Sequence, residues 1–246
     1  MSYRAKAIHP LLAPLNADDY MAQEVDVRSP QPISFDFEVL SQWDGIFSPA
    51  EITALNADNC AYQKRVATLS PALVQKEIER VTIELSWKSS KIEGNTYTLL
   101  DTEMLIKENK EAAGHRMEEA RMILNHKKAL DYIFSNKEKF KRVTMRDIED
   151  VHRLLVEDMG VSLGIRKRAV GITGTAYRPL DNEHQIREAF QKITHTINGF
   201  GDAWSKALAA LVLIAYLQPF EDGNKRTSRL LANACLIAHE ACPLSF

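Results

Sequence analysis

Twelve consecutive residues, Gln218-Pro219-Phe220-Glu221-Asp222-Gly223-Asn224-Lys225-Arg226-Thr227-Ser228-Arg229, stand between two apolar runs, Ala207–Leu217 before them and Leu230–Ile237 after. Runs that are apolar on every side belong in a core. The dodecapeptide is therefore predicted to be a turn between two buried helices, its second half opening the second helix. Polar groups concentrated at such a place need partners or a ligand.

Gly223 lets backbone N–H groups approach an anion, and the start of the following helix adds free donors and the positive end of its dipole. Arg226 and Arg229, three apart, can face one ligand, and Asp222 suits a magnesium ion that shares phosphate oxygens. Together they read as a nucleoside-triphosphate site. The same residues also read as ordinary turn chemistry, with Asp222 as a helix N-cap and both arginines solvated. Spacing alone does not choose between the two.

The segment closely resembles the signature of the Fic family, His-Pro-Phe-x-Asp-Gly-Asn-Gly-Arg-x-x-Arg, whose best-known members transfer AMP from ATP to hydroxyl side chains of target proteins. The resemblance implies that Asp222 holds Mg²⁺, that Gly223, Asn224 and Lys225 line the phosphates of ATP, and that Arg226 and Arg229 neutralise them. Phe220 is expected to be a buried anchor. Two positions depart from the pattern. Gln218 stands where the family has the histidine that takes the proton from the attacking hydroxyl. A glutamine amide can orient a hydroxyl but has no titration near neutral pH, and general-base help is typically worth roughly 10²–10⁴-fold in rate. Transfer is expected to be slow or absent. Lys225 replaces the second glycine, as in the similar Doc toxin branch, which transfers the terminal phosphate instead of AMP; a solvent-facing Lys225 without consequence is the alternative.

A second element lies upstream. Ser89-Ser90-Lys91-Ile92-Glu93-Gly94-Asn95 looks like the inhibitory motif of self-restrained Fic proteins. Ser89 and Glu93 are four apart and share a helix face, and Gly94-Asn95 supplies the stop. The resemblance implies that Glu93, helped by Ser89, reaches Arg229 and withholds it from the γ-phosphate, a switch whose loss of one partner leaves an uncompensated charge. A plain helix end with a solvated Glu93 is the bland alternative. A third element, residues 164–180, has short alternating runs with glycines and a proline and reads as a β-hairpin. It resembles the Fic flap, with Val170, Gly171, Ile172, Thr173 and Gly174 as the edge where a target protein docks by strand addition; a merely structural hairpin is the other reading.

The rest of the chain fits an all-α, Fic-type helical bundle with a small hairpin flap: an N-terminal arm and helical region over residues 1–80, then a Fic-type domain over 81–246 that includes the inhibitory helix, about 71–95, and the loop 218–229. Residues 1 to about 45, with Ser29-Pro30-Gln31-Pro32, read as an extended arm. Ser48-Pro49-Ala50-Glu51 is a capping box, and Ser70-Pro71 repeats the start signal. From Pro71, Val74, Ile78, Val81 and Leu85 mark one packed face that carries Glu93. Further starts are expected near Thr98 and Thr144, a break at Gly114, a helix with Ala120, Ile123, Leu130 and Phe134 on one face, and helices near 183–199, 203–217 and 223–240.

A net charge of −2 over 246 residues gives no electrostatic footprint for nucleic acid. Ala207–Leu217 is too short to span a bilayer, and Met1–Pro14 lacks the apolar core of a signal peptide. Cys60, Cys235 and Cys242 read as free thiols of an intracellular, cytoplasmic chain. His152 and His239 read as core or surface residues. The chain stops soon after the motif helix and reads as a fragment without the C-terminal DNA-binding module of similar proteins. The residues leave a homodimer open. Three functions are carried forward: a protein adenylyltransferase restrained by Glu93 and impaired by Gln218, a Doc-like phosphotransferase, and a non-catalytic nucleotide-binding or protein-interaction module.

Overall fold

The computed structural model describes residues 34–43, 45–172 and 175–245; the run Ser29–Pro32, the segment Met1–Pro14 and the flap residues Thr173 and Gly174 lie outside the described residues. Among the described residues the chain forms eight α-helices and no sheet: α1 (Pro49–Ala67), α2 (Pro71–Ile92), α3 (Leu99–Glu108), α4 (Met117–Ser135), α5 (Met145–Leu155), α6 (Glu183–Gly199), α7 (Ala203–Leu217) and α8 (Asn224–Ala238). None of them is long and apolar enough to cross a membrane.

Local chemistry sets most of the helix ends. Ser48, Thr98 and Thr144 each close a capping box with Glu51, Asp101 and Asp147, while Ser70, Asn182 and Asp202 accept from the first turn of their helices. The most consequential stop is that of α2. Gly94, at φ +88°, donates to Lys91 O and Asn95 N–H reaches back to Ser90 O, the paired bonds of a Schellman turn, which leaves Glu93 as the C-cap. Asn95 then fastens the turn to α4 through Nδ2 to Glu119 O at 2.8 Å.

α8 is the axis of the bundle. From Asn224 to Ala238 every residue except Lys225 is buried, and α7, α5, α4 and α2 pack around it with α6 behind α7. The expected face of α2 is only half realised: Ile83, Leu85, Ser86, Ser89 and Ser90 are buried, whereas Val74, Ile78 and Val81 are partly exposed along a groove shared with α1 and Pro243. α1 buries no residue and is held by polar contacts, Gln63 Nε2 to Glu240 O and Trp204 Nε1 to Asn56 Oδ1.

The predicted hairpin is not formed among the described residues. Residues 161–172 and 175–181 run without a strand ladder, and the one bridge among them is parallel, from Arg178 to Ser34, with Phe35 N–H on Arg178 O at 3.1 Å. The returning limb finds side-chain partners instead. Tyr216 of α7 is sandwiched between Phe35 and Tyr177, with ring centroids 4.8 and 5.1 Å away, and Tyr177 Oη donates to Tyr216 O. Alternation predicted a strand where an aromatic stack holds the chain.

Candidate functional site

The dodecapeptide is the α7–α8 turn. α7 ends at Leu217, and Gln218 adopts the left-handed conformation, φ 52°, that reverses the chain. Phe220 is fully buried, stacked on His152 with ring centroids 3.8 Å apart. Asn224 closes the loop, its Oδ1 accepting from Phe220 N–H and its Nδ2 donating to Phe220 O, both at 2.8 Å. Its side chain is therefore a brace, and only its backbone N–H can face a ligand. The N-cap of α8 is Gly223 and not Asp222. Gly223 has φ +78°, a conformation that favours glycine, and a Cβ there would stand 3.1 Å from Val156 Cγ1, so that side chain would have to give by a few tenths of an ångström.

The uncapped start of α8 leaves the N–H groups of its first turn without acceptors in the helix. They open into a cleft of ≈ 320 Å³ lined by Ile92, Glu93, Val170, Gly171, Ile172, Gln218 and Glu221 through Arg226. Glu93 and the three described flap residues thus meet the loop at one place, although they lie far apart in sequence. A larger cleft between Phe37, Trp43, Lys192 and Phe200, ≈ 740 Å³, has aromatic walls, and among the described residues no arginine lines it.

The two arginines differ. Arg226 is buried beneath the loop, pairs with Asp222 Oδ2 at 3.3 Å, and has its guanidinium pKa pushed down by burial. Arg229 is the residue Glu93 reaches: Nη2 donates to Glu93 Oε1 at 2.7 Å and to Ser89 O at 3.1 Å, and Nε donates to Ser89 Oγ at 3.0 Å. Asp222 projects into solvent, its side chain 67% exposed. Lys225 is exposed at the rim.

Gln218 does not reach into the cleft with its amide nitrogen, which donates to Ala215 O at 2.6 Å. The ionisable groups that line the cleft are carboxylates, one ammonium and one guanidinium, so among the described residues no histidine lines it. The nearest imidazole, His152, lies under the loop with Nε2 2.9 Å from Asp222 O. As that partner is a carbonyl, Nε2 carries the proton. Burial pushes His152 down to about 4. His126, behind Arg229 and bonded to Ser86 Oγ, is pushed down to about 3 by burial and by the two arginines. Hydrogen bonds from the Ser162 side chain and then its backbone N–H hold the Glu221 carboxyl below its ordinary pKa.

Two residues of the site carry no signal in the sequence. His152 supports Phe220 and the Asp222 carbonyl. Arg166, only 3% exposed, binds carbonyls on both the loop and the flap.

Residues 142–236 match the model of the Fic/DOC family. A protein adenylyltransferase Fic from Drosophila virilis is 30% identical over 156 residues, 59% of this chain and 31% of that protein; one from Nematostella vectensis is 26% identical over 177 residues, 67% and 39%. The chain thus spans about a third of the length of these relatives. A Fic domain-containing signaling protein from Bacteroides thetaiotaomicron superposes with TM-score 0.64 at 21% identity, over 74% of this chain and 72% of that one. Fic-1 from C. elegans gives 0.64 at 19%, over 80% and 61%.

Proposed function

This chain is a Fic domain protein, and from that premise we propose that it is a protein adenylyltransferase, transferring AMP from ATP to a hydroxyl side chain of a target protein. The observation that carries the reading is Arg229 held at 2.7 Å by Glu93 beside the free start of α8. Arg229 of the buried α8 and Glu93 of the α2 C-cap meet behind a cleft that Glu93 lines beside the free helix start, an arrangement that supports a restrained phosphate site. In this reading Glu93 and Ser89 are autoinhibitory, the backbone of Gly223, Asn224 and Lys225 takes the phosphates with Arg226 and, once released, Arg229, and the target docks along Val170–Ile172.

Magnesium fits through Asp222. The described residues hold no cluster of three or more metal-ligating side chains, but Mg²⁺ in nucleotide sites commonly takes one or two carboxylates and completes its shell with phosphate oxygens and water. Asp222 is exposed and beside the helix start. When bound, the ion would neutralise charge on the phosphates.

Transfer forms a bond from the hydroxyl oxygen to the α-phosphorus and breaks the α–β bridge, releasing pyrophosphate, while the hydroxyl proton must pass to a base. Gln218 cannot accept it, and the cleft lining offers no imidazole in its place. That observation favours a second reading, a non-catalytic nucleotide-binding module on the same scaffold. Lys225 at the rim keeps the phosphotransferase reading testable in the same experiment.

Intact-mass spectrometry of Glu93→Gly, with and without Gln218→His, after incubation with Mg·ATP separates these. An AMP-sized increase in the double variant alone supports the adenylyltransferase. A phosphate-sized increase supports the Doc-like reaction. Binding of Mg·ATP with no covalent product in either variant supports the module, and absence of binding as well overturns all three.

A further inference from the structure

Arg166 is a buried cation whose side chain bonds only to backbone carbonyls. Nε donates to Gln218 O at 2.7 Å, Nη1 to Arg168 O at 2.8 Å and Nη2 to Leu180 O, while the backbone N–H of the same residue donates to Pro219 O at 3.0 Å. No carboxylate pairs with it among the described residues. Arg168 and Leu180 are the two ends of the loop that brings Val170, Gly171 and Ile172 to the cleft; Gln218 and Pro219 begin the turn that forms its floor.

We propose that Arg166 is a positioning residue that joins residues 168–172 and 175–180 to the Gln218–Phe220 turn in one mechanical unit, so that anything bound along Val170–Ile172 is set at a fixed place relative to position 218. The inference rests on the docking role proposed for that loop. A guanidinium suits the task because its donors sit on three nitrogens held in one rigid plane and so reach acceptors on opposite sides at once, whereas the three donors of a lysine all radiate from one nitrogen. A buried cation whose nearest carboxylate, Asp181, acts only at longer range is costly unless polar groups are turned toward it, and here all three hydrogen-bond acceptors belong to the two segments to be joined. The bond to Gln218 O also pins a residue in left-handed backbone, which side chains disfavour. Tyr177 adds a second tie at the same junction, its hydroxyl on Tyr216 O, two residues before Gln218.

Residue-resolved amide exchange by NMR on the full chain tests this. Four hydrogen-bonded amides report: residue 166 on Pro219 O, Thr175 on Ile172 O, Gln218 on Ile214 O and Phe220 on Asn224 Oδ1. In Arg166→Lys, which keeps the charge and loses the fork, and in Arg166→Met, all four are expected to exchange at least about tenfold faster, with Leu130 and Ile193 in the core changing less than about twofold. Acceleration of Gln218 and Phe220 without Thr175, or of Thr175 without them, overturns the coupling. So does equal acceleration in the core, which would mean general destabilisation, and so does full protection in Arg166→Lys. If neither variant folds, the unchanged chain decides. Under low denaturant the four amides are expected to share one opening reaction, and separate openings overturn the proposal. None of these readouts involves ATP or transfer, so the proposed activity and the coupling can each fail alone.

Discussion

Replacing Glu93 should make the protein bind nucleotide more tightly while making it less stable. The contact at stake is the 2.7 Å bond from Arg229 Nη2 to Glu93 Oε1, with side chains 10% and 26% exposed. A hydrogen bond to a charged group contributes about 1.5–3 kcal/mol. The exposed quarter of Glu93 places this one at the lower end, about 1.5–2 kcal/mol. If a phosphate must displace Glu93 to reach Arg229, removing the competitor improves affinity by that amount, roughly 10–30-fold. Glu93→Gln keeps an acceptor but loses the charge, and a neutral acceptor is about half as strong, so it should gain only about 3–5-fold. Titration calorimetry of the whole chain with Mg·ATP reads these values, and thermal melts of the same samples should show Glu93→Gly lower by about 3–8 °C. Ser89→Ala is the control: it deletes the 3.0 Å bond to Arg229 Nε but leaves Ser89 O and Glu93 in place, and should change affinity less than about threefold. Folded Glu93→Gly protein that binds Mg·ATP no better than the unchanged chain refutes the reasoning. An affinity that falls in step with stability refutes it too, because a merely structural ion pair would behave that way.

Gly223→Ala should lower stability by about 1–2 kcal/mol through the left-handed backbone alone, and the 3.1 Å approach to Val156 should weaken Mg·ATP binding by shifting the loop; a melt and titration within error of the parent contradict this. Asp222→Ala should make nucleotide affinity insensitive to EDTA, whereas the Glu93→Gly background with Asp222 intact should lose most of its affinity on chelation. His126 and His152 give a pH signature. Burial holds both neutral in the folded chain, at about 3 and about 4, while in the unfolded chain they titrate near ~6.5. Because the folded values are depressed, the stability they supply is complete above ~6.5 and is lost as pH falls toward 4. Over that window the slope should approach about 2.7 kcal/mol per pH unit in urea melts. His152→Phe should remove about half of the slope, and an unchanged slope rejects the assignment.

The helix ends could be read from the chain because a cap is a local event: Ser48 with Glu51, Thr98 with Asp101 and Thr144 with Asp147 are three residues apart, and the turn that aims Glu93 is written in Gly94-Asn95. The loop was equally legible, since its polar residues are contiguous between apolar runs. What failed depended on partners distant in sequence. Val74, Ile78 and Val81 have the spacing of a core face, but the helix opposite them, α1, buries nothing. The alternation of residues 164–180 promised a hairpin, but Tyr177 found Tyr216 and Arg178 found Ser34. Arg166 and His152 could not have been found by any pattern, because they bind the carbonyls of Gln218 and Asp222, and a carbonyl carries no residue identity.

Gln218 likewise acts on the fold through its backbone. Its structural duties are all performed by backbone: the left-handed turn, the N–H on Ile214 O, and the carbonyl that takes Arg166 Nε. Only its amide, folded onto Ala215 O, belongs to the side chain. Under the proposed function, a residue at position 218 would set the chemistry of the cleft without holding up its walls. Gln218→His is then expected to lower the melting temperature by no more than about 4 °C, since it removes one part-buried hydrogen bond of about 0.5–1 kcal/mol. A fall much larger than that would mean the amide is part of the fold, and the separation between scaffold and chemistry would not hold.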